Sequence, residues 1–312
     1  MSRFRDQEPS QGMKRGKVTS PTFLKSILQE YGLHPHRSMG QHFLIDENIL
    51  KKILSAGMLA PEDRVLDIGS GPGALSLAMA EKVSGVISIE WDSGLAQLLR
   101  DEARRRGFGN IRVVEGDVRR LDLEEICRLN WGEDALEPGG KTHIKVMANL
   151  PYYLTTPLLF QLLRGSLQPE RLVMMVQLEV ARRIVALPAT RDYGVLSLLC
   201  GYYTEPELLF KVSRHVFYPP PAVDSAVIRL RRRSAPPVSV RDEAFLWKII
   251  DAAFNKRRKT IVNALDGLAA LDREEWKKII EGAGIAPTVR GETLSLERFA
   301  KIAEMFYNMK RP

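Results

Sequence analysis

Short apolar runs, each ended by a glycine, an acid or an amide, alternate along most of this chain with stretches of helical spacing, and from Asp242 onward the helical spacing stands alone. Thr22 to Tyr31 places Phe23, Leu24, Ile27 and Leu28 on one side, which predicts a short helix that Gly32 ends. Asp46 is a fair N-cap for a second helix running through Leu54. Arg64 to Ile68 reads as a buried strand that passes through a glycine-rich turn, Gly69 to Gly73, into a helix reaching Lys82. Gly85 to Glu90 is the second strand, Ile111 to Val118 the third, Ile144 to Asn149 the fourth and Arg171 to Gln177 the fifth. Thr156 reads as the cap, and Pro157 as part of the first turn, of a helix that ends near Leu163. Two further strand-like runs, Glu207 to Val212 and Ala222 to Leu230, enclose Phe217, Tyr218 and Pro219 to Pro221. Prolines cannot join a ladder, so this segment is expected to be a stiff loop presenting Phe217 and Tyr218.

The alternation of strand and helix favours an α/β fold with a doubly wound sheet, and ligands of such sheets bind beyond the carboxyl ends of the strands. The domain plan expected from composition is a disordered basic arm over residues 1–20, a sheet domain over 21–233, a linker over 234–241 and a smaller all-helical domain over 242–312. Phe245, Ile249, Ala252 and Ala253 form the first apolar stripe of that helical part. Trp131 to Lys141, rich in glycine, proline and acids, reads as a loop.

Charge adds a partner. The balance of 46 Lys+Arg against 38 Asp+Glu leaves a formal charge of +8, which suits an anionic ligand and says nothing about fold. Asn255 to Thr260 is the densest positive run, and Lys256, Arg257, Arg258 and Lys259 are the expected nucleic-acid contacts. Arg104 to Arg106 sit where cations are favoured at a helix end, so a solvated terminus is expected there. Cys127 and Cys200 are far apart and outside metal-ligand spacing, which points to neither a disulfide framework nor a metal site. No apolar run is long enough to span a bilayer and no secretory signal is evident, so a cytoplasmic protein with no membrane partner is expected.

Four features fall at strand ends. The glycine turn lets a backbone approach a ligand, but it is a weak signal shared by nicotinamide, flavin and methyl-donor enzymes. Glu90, ending the second strand, suits two ribose hydroxyls. Asp117 either caps a turn or accepts a hydrogen bond from an adenine amine. Asn149-Leu150-Pro151-Tyr152 combines a side-chain carbonyl, backbone carbonyls fixed by a proline and a flat ring, a set that suits a planar group with an exocyclic amine. A nicotinamide enzyme leaves Asp117 and this loop without work. S-adenosylmethionine uses more of the set, with Gly69 and Gly71 at its amino-acid part.

Taken with these, Gly40 to Leu44, Gln177 to Ala181, Phe217 to Ser225 and Asn255 to Thr260 make the chain resemble the ribosomal RNA adenine N6,N6-dimethyltransferases, over nearly its whole length after about residue 20. The bacterial small-subunit branch, which dimethylates two adjacent adenosines near the 3′ end of 16S rRNA, is the most similar. The resemblance implies a class I methyltransferase sheet of Rossmann-like form. It implies S-adenosylmethionine as cofactor, S-adenosylhomocysteine as product, no metal, and 16S rRNA or the small ribosomal subunit as partner of a monomer. The family's cofactor contacts fall on His42, Leu44, Gly69, Glu90, Asp117 and Asn149, and Gln41, Gly71, Trp91 and Val118 join the expected set. Asn149, Leu150, Pro151, Tyr152 and Phe217 are the expected catalytic group. In it the Asn149 and Leu150 carbonyls hold the amine hydrogens while Tyr152 and Phe217 sandwich an extruded base. Three features depart from the family's pattern. His42 and Tyr153 each stand where asparagine is usual, and Ser70-Gly71-Pro72-Gly73 replaces a Pro-Gly-x-Gly turn. A non-catalytic ribosome-assembly factor and the related 23S rRNA enzyme are the competing readings.

Overall fold

The computed structural model describes residues 16–36, 39–133 and 144–309. Residues 1–15 of the expected basic arm and most of the expected loop at 131–141 lie outside them. The end of that arm is ordered, which corrects its boundary: Val18 and Thr19 are buried, and Lys17 and Thr19 both donate to the Glu47 carboxylate at 2.9 Å. Arg106 donates to the Gly16 carbonyl at 2.7 Å and pairs with Glu102 at 2.8 Å, while Arg105 reaches Tyr31 and Glu102. Arg105 and Arg106 therefore tie the N-terminal segment down rather than forming a solvated helix end.

Seven strands form the sheet: β1 (Arg64–Ile68), β2 (Gly85–Glu90), β3 (Ile111–Glu115), β4 (Ile144–Asn149), β5 (Arg171–Gln177), β6 (Thr204–Val212) and β7 (Ser225–Arg232). Their spatial order is β3-β2-β1-β4-β5-β7-β6. The first five run parallel, and β7 inserts antiparallel between β5 and β6. Strands β1, β2, β4 and β5 are buried over nearly their full length, as expected of strands covered on both faces. The order of strands reverses between β1 and β4, and this switch point opens a crevice at their carboxyl ends.

Helices cover both faces. Those that position the site are α1 (Pro21–Glu30), α2 (Glu47–Gly57), α3 (Ala74–Ala80), α4 (Ser93–Arg105), α5 (Leu123–Trp131), α6 (Thr155–Arg164), α7 (Leu178–Ile184) and α8 (Val195–Tyr203). Asp46 caps α2 by accepting from the Asn48 and Ile49 amides, and Asp92 caps α4 through the Leu95 amide. Thr156 does not cap α6. That helix starts two residues earlier than this cap would set, continuing a 3-10 turn at Tyr152–Leu154, and Thr155 is buried in its first turn.

The C-terminal helices are α9 (Glu243–Asn255), α10 (Ile261–Leu265), α11 (Arg273–Gly282) and α12 (Leu296–Met309). Trp247 and Trp276 are buried in an apolar cluster that runs without a break into Leu158, Leu162 and Leu199 of α6 and α8. Tyr203 stacks on Trp247 at 6.1 Å, and the Tyr193 hydroxyl donates to the Leu294 carbonyl at 3.0 Å. No helix among the described residues is long and apolar enough to cross a membrane.

One buried ion pair holds the amino end of β4. Lys145 donates to Asp63 at 2.6 Å and to the Met58 carbonyl at 2.7 Å, and the two side chains are 6% and 2% exposed. Removing one partner strands a charge in the core, whereas removing both does not. Asp63→Ala should therefore lower unfolding free energy by ~3–5 kcal/mol in a urea titration, and Asp63→Leu with Lys145→Met should recover much of that loss. Equal losses in the single and double variants would contradict it.

Candidate active site

The sheet register sets the site's order. Glu90 pairs with Glu115 at the ends of β2 and β3, Ile68 with Ile89 on β1 and β2, and Asn149 with Met175 on β4 and β5. Asp117, Glu90, Gly69 and Asn149 consequently follow one another along the carboxyl edge in the strand order β3, β2, β1, β4. One cavity lies over that edge. Gln41, His42 and Leu44 line it from the N-terminal side, and Gly69, Gly71, Glu90, Trp91, Asp117 and Val118 from the first three strands. Asn149, Leu150, Pro151, Tyr152 and Phe217 complete it. Every residue expected at a cofactor or catalytic position borders this space.

The turn after β1 is shaped by backbone rather than side chains. Gly69 has φ +70°, and a Cβ there would lie 3.2 Å from Cδ of Pro151. That close approach brings the turn against the Asn149–Tyr152 loop. Gly71 donates its amide to Glu90 Oε2 at 2.7 Å, and the Asp92 amide donates to Oε1 at 3.0 Å. These two bonds aim the carboxylate across the turn while leaving each oxygen a further lone pair. Burial raises the Glu90 carboxyl above its ordinary range, against the pull of those amides.

Asp67 was not among the expected residues. It is fully buried in the middle of the β1 run, it borders the cavity, and its Oδ2 accepts from the Ser76 hydroxyl, which in turn accepts from Ser88 at 2.7 Å. Burial pushes its carboxyl up to about 7 despite the Ser76 hydrogen bond, and the charge of Glu90 adds to the shift. Oδ1 of Asp67 and the hydroxyl of Ser70, another lining residue, are buried without a hydrogen-bond partner. Two orphaned polar atoms at the cavity wall are what a ligand with both donors and acceptors satisfies. The only signal in the sequence was an acid interrupting an apolar strand.

In the acceptor loop, Asn149 donates Nδ2–H to the His42 carbonyl at 3.1 Å, which leaves Oδ1 as its free acceptor face. Leu150 is buried, and the Tyr152 hydroxyl bonds Ser225 at 3.0 Å. His42 Nδ1 lies 2.7 Å from the Pro219 carbonyl, so Nδ1 is the donor and the ring is held by the proline segment. Phe217 differs from expectation. It is not presented on a free loop, because Phe217 and Tyr218 pair antiparallel with Leu44 and Phe43, and Phe217 is 3% exposed. Its ring reaches the cavity from within the packing.

Asp117 caps the 3-10 turn Val118–Arg120 and is also held by Arg119, whose Nε and Nη2 reach Oδ1 and Oδ2 at 2.9 and 2.6 Å. That pair holds the Asp117 carboxyl below its ordinary range. The basic run divides. Arg257 donates to Glu292 at 2.6 Å and to the Arg191 and Tyr193 carbonyls, stapling the C-terminal helices to the sheet domain. Arg257 thus carries a structural role while its side chain stays 46% exposed, with Nη1 outside these bonds. Lys256, Arg258 and Lys259 are exposed.

The chain as a whole is similar to known proteins. The family model described as "Ribosomal RNA adenine dimethylase" matches residues 32–308. The chain is 46% identical to ribosomal RNA small subunit methyltransferase A of Pelotomaculum thermopropionicum, covering 93% of this chain and 97% of that protein. It is 44% identical to the protein of the same name from Moorella thermoacetica, covering 92% and 97%. Among solved structures, a dimethyladenosine transferase from Plasmodium falciparum superposes with a TM-score of 0.71 at 23% identity, over 86% of this chain and 98% of that one. The 23S rRNA methyltransferase ErmE gives 0.60 at 26% identity, over 84% and 98%.

The buried acid makes stability depend on pH. Native Asp67 keeps its proton up to about pH 7, whereas an unfolded chain releases it near pH ~3.9. The native state binds more protons across that window, so this group's contribution falls as pH rises from about 4 to about 7 and is level above it. In guanidinium unfolding, Asp67→Asn should gain on the wild type by ~1 kcal/mol or more between about pH 5 and about pH 8. A constant difference between the two proteins would contradict the assignment.

Proposed function

This chain belongs to the ribosomal RNA adenine dimethylases, and from that premise we propose that it transfers two methyl groups from S-adenosylmethionine to the N6 amine of each of two adjacent adenosines near the 3′ end of 16S rRNA. It is a methyltransferase. The proposed setting is the small ribosomal subunit in the cytoplasm, with the chain acting as a monomer. Residues 21–233 form the proposed catalytic domain, joined by 234–241 to a helical, RNA-binding part.

The cavity residues fit the cofactor. Glu90, with lone pairs spare on both oxygens, would take the ribose hydroxyls, and Trp91, Val118 and Asp117 would hold the adenine. The orphaned Asp67 Oδ1 and Ser70 hydroxyl, with the Gly69 to Gly71 backbone, suit the charged amino-acid end. When bound, S-adenosylmethionine supplies an electrophilic methyl group. The chain's own work is to make an adenine amine nucleophilic and to hold it in line. Its lone pair is delocalised into the ring, and Asn149 Oδ1 with the Leu150 carbonyl draws the two amine hydrogens out of plane.

The observation that carries this reading is the Asn149 amide. One of its two N–H donors goes to the His42 carbonyl, which orients the amide and leaves its oxygen to accept from a donor, and an exocyclic amine is a donor. Pro151 holds the Leu150 carbonyl in a fixed direction beside it. Tyr152 gives a ring face for the base, and Phe217 backs it from the packed side. Positioning and electrostatics do the catalysis, and the proton lost from the methylated amine needs no strong base. A binder without activity would have no use for this arrangement of acceptors.

Incubation with labelled S-adenosylmethionine tests the proposal on three substrates: small subunits lacking dimethyladenosine, naked 16S rRNA and naked 23S rRNA. Label in the small-subunit RNA is expected; no label anywhere refutes the activity, and label in 23S rRNA alone redirects it. Asn149→Ala should reduce transfer by ~10²-fold or more while subunit affinity stays within about threefold. A parallel loss of both would show that Asn149 only holds the loop together.

A further inference from the structure

Among the described residues only two Phe, Tyr or Trp side chains are exposed, Trp91 at 55% and Tyr153 at 51%, and both border the same cavity. Trp91 follows Glu90 and belongs to the cofactor side. Tyr153 has no role in the reading above. It follows Tyr152 in the acceptor loop, and the Arg119 guanidinium lies 5.8 Å from its ring centroid. Arg119 is itself half exposed and spends Nε and one hydrogen of Nη2 on Asp117, which leaves Nη1 and a hydrogen of Nη2 to donate. A flat ring beside a cation with spare donors recognises a planar, anionic ligand. S-adenosylmethionine carries no phosphate, and its one carboxylate belongs at the Gly69 turn, so it does not use this pair. A nucleotide does.

We propose that Tyr153 and Arg119 form a subsite for the nucleotide next to the target adenosine, with Tyr153 stacking on its unpaired base and Arg119 binding its phosphate. This rests on the methyltransfer reading and extends it to a second nucleotide. Because the substrate holds two neighbouring targets, the strand must present one while the other is parked close by. A sequence-tolerant stacking platform one residue beyond Tyr152 gives it that place. The four acceptor positions of Asp117 are met by the Arg119 backbone and side chain at 2.6 to 3.2 Å. A cofactor adenine amine that takes Asp117 displaces part of that grip, freeing further Arg119 donors for phosphate. Loading of the cofactor thereby readies the RNA subsite.

The full-length wild type, Tyr153→Ala, Tyr153→Phe and Arg119→Ala test it. Two affinities are measured for each protein: for unmethylated small subunits, by anisotropy of labelled protein at several salt concentrations, and for S-adenosylhomocysteine, by calorimetry. Tyr153→Ala should weaken subunit binding about tenfold (~1.4 kcal/mol) with the salt slope unchanged, and Tyr153→Phe should stay within about twofold of wild type. Arg119→Ala should weaken subunit binding and lower the slope of log affinity against log salt by about 0.7. S-adenosylhomocysteine affinity should stay within about threefold for both Tyr153 variants, which also reports that they fold. Unchanged subunit affinity in Tyr153→Ala, or an unchanged salt slope in Arg119→Ala, overturns the subsite. So does a loss of S-adenosylhomocysteine affinity in Tyr153→Ala, which would assign the ring to the cofactor. Absence of methyl transfer by the wild type refutes the activity instead, and leaves these binding results to be read on their own.

Discussion

The ring of Pro151 is the wedge on which the site is built. Gly69 and Gly40 both adopt left-handed backbone, and a Cβ on either would come within 3.2 and 3.4 Å of that ring. The three chain segments that meet there are the turn after β1, the loop after β4 and the N-terminal segment leading to Phe43. A side chain at position 69 would press on that ring, and one at either position would be strained because L-residues avoid that backbone region. The Asn149 amide donating to the His42 carbonyl adds a directional bond to this contact. The two loops are consequently positioned by one another through backbone packing, which is what the proposed transfer geometry requires.

Electrostatics at the same edge work against the empty protein and in favour of the loaded one. Burial and the nearby Glu90 charge both disfavour the ionised form of Asp67, and one of its oxygens has no partner. An arrangement of this kind costs stability unless a ligand supplies positive charge and donors. The proposed cofactor, S-adenosylmethionine, carries an ammonium and a sulfonium, so under that proposal the unfavourable burial would become part of its recognition. Asp117 and Arg119 show the opposite case, a pair already satisfied in the free protein, which under the proposal would partly open. Binding to the cavity thus relieves one acid and redistributes the partner of another.

Much of this was legible in the sequence. Glu90 could be placed because it closes an unbroken apolar strand, and Asn149-Leu150-Pro151-Tyr152 because a proline and an amide directly follow another. Contacts between distant segments were not legible. Phe217 read as a loop residue since nothing local reveals that Phe43 and Leu44 pair with it. The structural partners of Arg257 were equally hidden, because a charge run does not disclose Glu292 or two carbonyls waiting for one of its members. The antiparallel insertion of β7 between β5 and β6 likewise follows from the burial of facing strands, not from any motif. Asp67 was visible but unweighted, since one acid within an apolar run says nothing until its second oxygen is seen to be unpartnered.

The central claim is that Asn149 and Leu150 together hold an adenine amine beside the methyl donor. A crystal structure of the protein with S-adenosylhomocysteine and N6-methyladenosine bound addresses it most directly. The expected result puts N6 within ~3 Å of Asn149 Oδ1 or the Leu150 carbonyl, its ring against Tyr152, and the cofactor's own adenine amine at Asp117. An acceptor base whose N6 faces away from Asn149, or a cofactor seated outside the Glu90 and Asp117 edge, would contradict it.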